Sequence, residues 1–494
     1  MNYLCPGYND VFENRHRDET AKVVKRNWKH VDPCNNVHVS INKPIDLVYP
    51  SAVSPSIAHM PMPDTEYAAL SFFFHVYGAG RDTDATCSWL DLLPSMYAAC
   101  RPCSPLSLAT AALAIRITTL WTLRDVDSEA ARQRYAQAVI GAREAILDPI
   151  VSRSNELVMA TLVLEAYDSI TSYYRYNQTG VHTSGAIALV KHRGSLNYRD
   201  DISRRIVVTL RSKLVQDSLV NPQDVRDLHF VWKDDFPVPQ SFTVELDRLA
   251  YRLAQLSGLM RGADHNAQKA VSGTEVDGTQ TTLFSQVIAL AHDCTRWIQT
   301  LPYHWHSVAV DSQYIDETIK AAGVHGTSCD VYANLTIASV RNWHRIVELR
   351  VLQLLRQCQA SQDSHSDSPS TSVEGIQSRI QRIMDEICAS VPYHVGDMME
   401  PTSPILGAKP KFPHVRTPDA AHRNLRSLPE SMSRHEHQMA SSGAMILYRV
   451  LTTVIGLARD GTDDYRIVLP HDQMEWIMVQ YLRIQKLLNF SLSR

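Results

Sequence analysis

Apolar residues recur at helical spacing through most of this chain, and this periodicity constrains its fold more than any other feature. The longest example, at 331–358, has apolar side chains at steps of three and four residues. Such spacing is typical of the buried face of an α-helix. Because no convincing run of alternating apolar and polar residues interrupts the pattern, the sequence predicts an all-α fold. We expect a large domain of packed antiparallel helices, preceded by an irregular N-terminal segment.

Start and stop signals divide the periodic region into individual helices. Ser104 is a helix cap with Pro105 at the first helical position, and Pro149 stops the next helix along the chain. The predicted helices span 104–123, 127–149, 154–170, a stretch from 185 onward, 201–219, 241–260, 281–300, 311–321, 331–359, 373–390, 436–458 and 471–490. The first of these is apolar on most faces, so we expect it to be buried on several sides.

The helical region is bounded and interrupted by segments of different composition. Six prolines punctuate residues 31–64, which predicts a linker there ahead of a helical domain over 65–494. Polar and glycine residues predict a loop at 262–281. The low-complexity run SQDSHSDSPSTS predicts a disordered insertion at 361–372, where we expect a protease to cut first.

Length, charge and cysteine usage exclude several classes of protein. The 494 residues carry a net charge of −3, which gives no overall attraction to nucleic acid or to an anionic membrane. No segment reaches the roughly 18 consecutive apolar residues of a membrane span, and the first residues lack the pattern of a signal peptide. The nine cysteines are scattered, which argues against a disulfide framework and for a reducing compartment.

Side chains with catalytic or metal-binding chemistry occur mainly as isolated pairs. The pairs are Cys100 and Cys103, His304 and His306, His435 and His437, Asp200 and Asp201, Asp234 and Asp235, and Asp463 and Asp464. The CxxC motif lacks the strand before it that a redox site needs, and no second CxxC could close a zinc site. Histidines two residues apart face away from each other on a helix.

None of the acidic pairs has a further acid at helical spacing in an apolar context. A terpene-cyclase-like Mg²⁺ site would need such a cluster on a helix that faces a cavity. The sequence also contains no Walker loop, dinucleotide glycine fingerprint, GxSxG motif or kinase signature. We therefore predict that the protein is not an enzyme.

A set of short motifs follows a fixed order along the chain. Cys5 opens the first motif, CPGY, and a mixed-charge stretch follows it. The further motifs are FFFH at 72–75, LDLLP at 90–94, SPL at 104–106, AILDP at 145–149, LVLEAYD at 162–168, His182 with Gly185, Arg193 with Gly194, and ICASVPYH at 387–394. In this order they resemble the fungal-specific transcription factor family, whose members carry a zinc binuclear cluster followed by a large helical regulatory region. The resemblance covers 1–24 and 66–490.

The resemblance implies a nuclear regulator of transcription whose zinc cluster is represented only by its last cysteine. Cys5 matches that cysteine, so residues 1–30 are interpreted as the remnant of the zinc-cluster DNA-binding domain and its exit. One thiolate cannot hold a structural zinc ion, which needs about four ligands. Cys5 is therefore a relic ligand position that is insufficient alone. We expect zinc if the missing part of the cluster is restored, and no cofactor for the chain as given.

The resemblance also defines the expected function and partners. We expect control of RNA polymerase II transcription, in a metabolic or secondary-metabolite pathway, with DNA reached only through a missing or partner-supplied zinc cluster. The transcription machinery and a homodimer or a heterodimer with another regulator are the expected partners, and a membrane is not. One alternative is an accessory protein without a cluster that binds a full-length regulator. A more remote alternative is an all-helical, metal-dependent cyclase-like enzyme.

Overall fold

The computed structural model describes residues 65–77, 89–122, 128–172, 180–194, 197–220, 232, 240–267, 276–360, 373–400, 409–414, 436, 438–459 and 467–488. All of these residues belong to one compact unit, Pro63–Arg494. The predicted cluster remnant at 1–30, the linker at 31–64 and the insertion at 361–372 lie outside the described residues.

Fourteen α-helices account for most of the described residues, and the predicted all-α fold is confirmed. They are α1 (Thr65–Tyr77), α2 (Trp89–Ala99), α3 (Pro105–Thr122), α4 (Glu129–Leu147), α5 (Asn155–Ser172), α6 (Val181–Arg193), α7 (Asp201–Val220), α8 (Phe242–Ala267), α9 (Val276–Thr300), α10 (Glu317–Gly323), α11 (Leu335–Ala360), α12 (Val373–Val395), α13 (Ala444–Arg459) and α14 (His471–Leu487). One π-helical turn, Met439–Gly443, leads directly into α13.

Several helices start where the capping residues predict. Ser104 Oγ accepts a hydrogen bond from the Ser107 amide at 3.3 Å, which places the start of α3 at Pro105. Ser154 Oγ accepts from the Leu157 amide at 3.2 Å at the start of α5. These bonds satisfy amides that have no partner inside the helix.

Between α9 and α11 the chain forms two short strands that the sequence did not predict. The strands β1 (Val308–Asp311) and β2 (Ser328–Val331) pair in an antiparallel two-stranded sheet. The helix predicted at 311–321 is therefore wrong in its first half, because β1 ends there and a 3₁₀ turn, Ser312–Tyr314, follows. Strands of four residues are too short to show a clear alternation of apolar and polar residues.

The loop predicted at 262–281 is also wrong at both ends. The helix α8 continues to Ala267, and α9 begins at Val276. Polar residues lower helix propensity only slightly, so a polar stretch does not by itself end a helix.

Buried apolar side chains form two clusters. The N-terminal core is built from α1 to α7, and the C-terminal core from α7 to α14. The helix α7 contributes to both, with Ile206 and Leu210 in the N-terminal core and Val215 and Leu219 in the C-terminal core. The two clusters are thus joined through one helix.

Small residues let the helices of the N-terminal core approach closely. Ala109, Ala112 and Ala114 of α3 are fully buried, and α3 packs against α1, α4 and α5. The prediction that this helix is buried on several sides is confirmed.

Candidate functional site

The CxxC motif, at residues 100–103, does not form a dithiol redox site. Cys100 is free, and Cys103 is disulfide-bonded, so the two cysteines are not bonded to each other. The bonded Cys103 differs from the expectation that the cysteines stay reduced. Burial raises the pKa of the Cys100 thiol, with a smaller opposing contribution from Ser104. A reactive cysteine needs a lowered pKa, so Cys100 has the properties of a structural residue.

The other sequence-predicted pairs are dispersed, or lie outside the described residues. Cys5, His435, His437, Asp234, Asp235, Asp463 and Asp464 belong to the second group. His304 is exposed and His306 is half-buried on either side of the fully buried Trp305. Asp200 caps α7, because its Oδ1 accepts from the Ser203 amide at 2.9 Å. The structure therefore gives Asp200 a structural role.

A stripe of buried polar side chains runs along α11 instead. Arg341, His344, Arg345 and Glu348 lie within two turns at steps of three, one and three residues. Side chains at this spacing share one side of a helix. All four are at most 6% exposed. We call these four residues, together with the side chains that bond them from β2 and α12, the buried charge network.

Arg345 is the centre of the buried charge network. Its Nε donates to Glu386 Oε2 at 3.1 Å, and its Nη2 donates to Asp330 Oδ2 at 3.3 Å. Its Nη1 donates to Tyr332 Oη and to Asn342 Oδ1, both at 2.8 Å. Burial alone would lower the pKa of Arg345, but Tyr332, Glu386 and Asp330 raise it above its usual value. One permanently charged guanidinium thus joins β2, α11 and α12.

Glu348 receives the arginines of α12. Its Oε1 accepts from Arg379 Nη2 at 2.7 Å and from Arg382 Nη2 at 3.4 Å. Arg382 Nη1 also donates to Glu386 Oε1 at 2.6 Å. Burial alone would raise the pKa of Glu386, but first Arg345 and then Arg382 lower it below its usual value. Glu386 is therefore held ionised at neutral pH and is not poised to exchange a proton.

His344 attaches the buried charge network to α9. Its Nε2 lies 3.0 Å from the carbonyl oxygen of Cys294, so Nε2 carries the proton. The imidazole stacks on Trp297 with ring centroids 4.8 Å apart. Its Nδ1 is 4.0 Å from Glu348 Oε2, but burial and then Arg341 lower the pKa of His344 to about 3. At neutral pH this contact is therefore not an ion pair.

The ICASVPYH segment of α12 continues the polar contacts toward the end of that helix. Asn342 Nδ2 donates to Ser390 Oγ at 3.1 Å, and Ser390 Oγ donates to the Ile387 carbonyl at 2.7 Å. His394 Nδ1 donates to the Ser390 carbonyl at 2.9 Å. This segment, which carries part of the family resemblance, is thus buried in the C-terminal core except for the half-buried Ala389.

Another buried arginine, Arg483 of α14, joins the C-terminal ends of two other helices. Its guanidinium donates to the carbonyls of Ala322, Gly396 and Met398 at 3.0, 2.7 and 2.8 Å. Burial lowers the pKa of Arg483 to about 10, and Asp397 offsets part of this effect. Carbonyls at a helix C-terminus lack partners within the helix and carry partial negative charge, so a cation is favourable there.

A third polar cluster lies at the edge of the N-terminal core. Tyr135 Oη and Asp168 Oδ2 are 2.8 and 3.3 Å from His182 Nε2. The Tyr135 ring stacks on Tyr167 at 4.6 Å. Burial, followed by Asp168, raises the pKa of Tyr135, so the phenol stays protonated. Asp168 and His182 both come from motifs of the family resemblance, and here they tie α4, α5 and α6 together.

In the part of the chain that the structure describes, no three His, Cys, Asp or Glu side chains are placed to hold a metal ion. None of the described helices combines the length and apolar character needed to cross a membrane. The sequence matches no protein-family model, and comparison with curated proteins and with solved structures also found no match.

Sequence reasoning missed the buried charge network. The charges on α11 recur at helical spacing, which is typical of a solvent-exposed face. A signal was present on α12, where Arg379, Arg382 and Glu386 repeat at steps of three and four in the same charge order as on α11, so opposite charges meet when the two helices run antiparallel. Two such complementary stripes on long helices indicate that the helices face each other.

Proposed function

We propose that this protein regulates RNA polymerase II transcription by binding other macromolecules, with residues 65–494 as its regulatory domain. The proposal starts from the ordered motifs between Cys5 and His394, which resemble fungal-specific transcription factors. The observation that carries it furthest is the all-α unit, because this is the architecture that the resemblance implies for that range.

The buried charge network supports a binding role over catalysis. Glu348 and Glu386 are each bonded by two arginines, so their charges are neutralised inside the fold. General acid–base catalysis needs a carboxyl whose pKa lies near the working pH and which reaches a substrate. Here the ion pairs hold helices at fixed positions, as expected for a scaffold that presents a recognition surface.

A tethering assay tests the proposal. The full chain is fused to a heterologous DNA-binding domain, and transcription of a reporter that carries its binding site is measured. We expect the fusion to enter the nucleus and to change reporter expression. The Arg345→Leu variant should lose the effect because the helices around the buried charge network lose their common partner. An unchanged reporter, with the fusion present in the nucleus at normal abundance, would count against regulation.

Metal and DNA measurements distinguish the two routes to DNA. Cys5 is the only cysteine before Cys34, so we expect the purified chain to retain no stoichiometric zinc and to shift no DNA by itself. A content of about two zinc ions per chain would contradict this. An accessory protein that binds a full-length regulator is the second candidate. Co-purification with a full-length regulator, together with a null result in the DNA shift, would favour that role.

A further inference from the structure

The outer face of α14 carries an exposed stripe of four side chains, which we call the outer stripe: Glu475, Val479, Leu482 and Lys486. At 3.6 residues per turn, these positions lie within about 60° of one another around the helix axis. The opposite face of α14, which includes Ile484, is buried in the C-terminal core. Val479 is 55% exposed and Leu482 is 49% exposed, although both are apolar. The helix thus presents an apolar centre between two charged ends to the surface.

The outer stripe has the same spacing from both ends, but its two charges are opposite in sign. Glu475 lies four residues before Val479, and Lys486 lies four residues after Leu482. Two antiparallel copies of α14, related by a twofold axis midway along the stripe, would therefore place Val479 of each copy against Leu482 of the other. The same arrangement would place Glu475 of each copy against Lys486 of the other. The outer stripe is thus self-complementary, as an interface between identical chains requires.

We propose that the outer stripe is a docking surface for a second copy of this chain, with the two α14 helices antiparallel. A parallel pair would place each charge beside its like, which is unfavourable. The antiparallel pair gains two apolar contacts and two ion pairs. The proposal gives a location to the homodimer that the family resemblance implies, but it is argued from α14 and does not depend on a role in transcription.

Lys486 remains available for this contact. It forms an ion pair with Glu400 of its own chain, but both side chains are more than half exposed, so the pair contributes little to stability. The ammonium group has three donors, so Lys486 can bind Glu475 of a second copy without leaving Glu400. One helix face buries less surface than most stable interfaces. We therefore expect a reversible dimer with a dissociation constant in the micromolar range.

Sedimentation velocity of the full-length chain, from low to high micromolar concentration, tests the interface. The wild-type chain should pass reversibly from monomer to dimer. Leu482→Asp should weaken the dimer at least about tenfold, because it places a carboxylate in each apolar contact. Leu259→Asp is the matched control, because Leu259 is a similarly exposed leucine on α8. This control should leave the dissociation constant unchanged.

Charge reversal tests the antiparallel register. Glu475→Lys should weaken the dimer about fivefold, because it places a like charge against Lys486 of the second copy. The double variant Glu475→Lys, Lys486→Glu should recover most of the affinity, because both ion pairs form again with their charges exchanged. A contact through any other surface would not show this recovery.

Three results would overturn the proposal. These are a wild-type chain that stays monomeric throughout the concentration range, a Leu482→Asp variant that dimerises as tightly as the wild type, and a double variant that binds no better than Glu475→Lys. The substituted residues are exposed, so we expect every variant to fold, and circular dichroism checks this. None of these outcomes affects the reporter assay, so the two proposals fail separately.

Discussion

The N-terminal and C-terminal cores are both built from α-helices, but buried charged side chains contribute more to the C-terminal core, although Glu165 is buried in the N-terminal core as well. In the N-terminal core, α3 brings its neighbours close through small side chains such as Ala109 and Ala112. The ion pair between Glu66 and Arg134 stays half-exposed at the edge of that core. The C-terminal core instead encloses Arg345 with carboxylates from two other elements.

This difference shows two ways to position helices. Apolar contacts are non-directional, so they stabilise a core while permitting small shifts of its helices. Buried hydrogen-bonded charges tolerate little change in geometry, because an unpaired buried charge is costly. We therefore expect the C-terminal core to be more sensitive to single substitutions of polar residues than the N-terminal core.

The largest effect is expected for Arg345→Leu. This change leaves Asp330 and Glu386 without their shared buried partner and should lower the free energy of unfolding by about 3–5 kcal/mol. Arg134→Leu, which breaks the half-exposed pair with Glu66, should cost only about 1 kcal/mol or less. Urea denaturation of both variants measures the difference. Equal losses would remove the distinction between the two cores.

Arg483→Met should have the next largest effect. The change removes the hydrogen-bond donors of the Ala322, Gly396 and Met398 carbonyls, which lie at the ends of two helices. Buried acceptors without donors cost about 1–3 kcal/mol each, and partial relaxation should limit the loss to about 3 kcal/mol in total. Arg483→Lys keeps the charge and should recover part of the stability. If the Arg483→Met and Arg483→Lys variants have the same free energy of unfolding, the positive charge at these helix ends does not contribute to stability.

Asp247 of α8 should make the C-terminal core sensitive to pH. Burial raises the pKa of this carboxyl from 3.8 to about 7, and Ser212 and Trp343 offset part of that rise. Between these values the folded chain keeps a proton that the unfolded chain releases, so stability falls as pH rises from about 4 to 7. Asp247→Asn removes this dependence.

Stability of the wild type and of Asp247→Asn, compared at pH 5 and pH 8, checks the sign. Each pKa unit corresponds to about 1.4 kcal/mol, and two units separate pH 5 from the folded pKa, so the wild type should lose about 2.5–3 kcal/mol more than the variant over this range. The titration of His344 affects both chains equally and cancels in the comparison. A wild type that gains stability relative to the variant at pH 8 would show that Asp247 is ionised in the fold.

A pair of glycine substitutions gives the smallest expected effects. A Cβ atom on Gly443, in the π-helical turn, would lie 1.9 Å from the His394 carbonyl oxygen. Gly443→Ala must therefore move backbone and should cost about 2 kcal/mol. Gly185 in α6 has only the Thr161 methyl group nearby, at 3.6 Å, so Gly185→Ala should gain about 0.5–1 kcal/mol from helix propensity. Thermal unfolding of the two variants should give shifts of opposite sign.

The sequence predicted the helices well where local signals agreed. The span predicted at 201–219 is α7, Asp201–Val220, and the span predicted from 373 is α12, which runs to Val395. Caps and apolar periodicity act within a few residues, so the sequence shows them directly. The strands β1 and β2 were missed because each depends on a partner about twenty residues away, across a turn and α10.

The candidate site was much less predictable than the fold. Arg341 and Glu348 are charged residues on a helix, and such residues are usually solvated. Glu348 is buried where α12 packs on α11 and brings Arg379 to its carboxylate. The position of a covering helix is a tertiary property that spacing within α11 does not encode.

The position of α7 has a mechanical consequence for the whole unit. Because Ile206 and Val215 lie on the same continuous helix in different cores, a force or a local melting event on either side strains the other. We therefore expect the stabilities of the two cores to be coupled, so that a substitution that destabilises one core also lowers the stability of the other. A small displacement of α7 within one core would thus also move the end of this helix that packs in the other core.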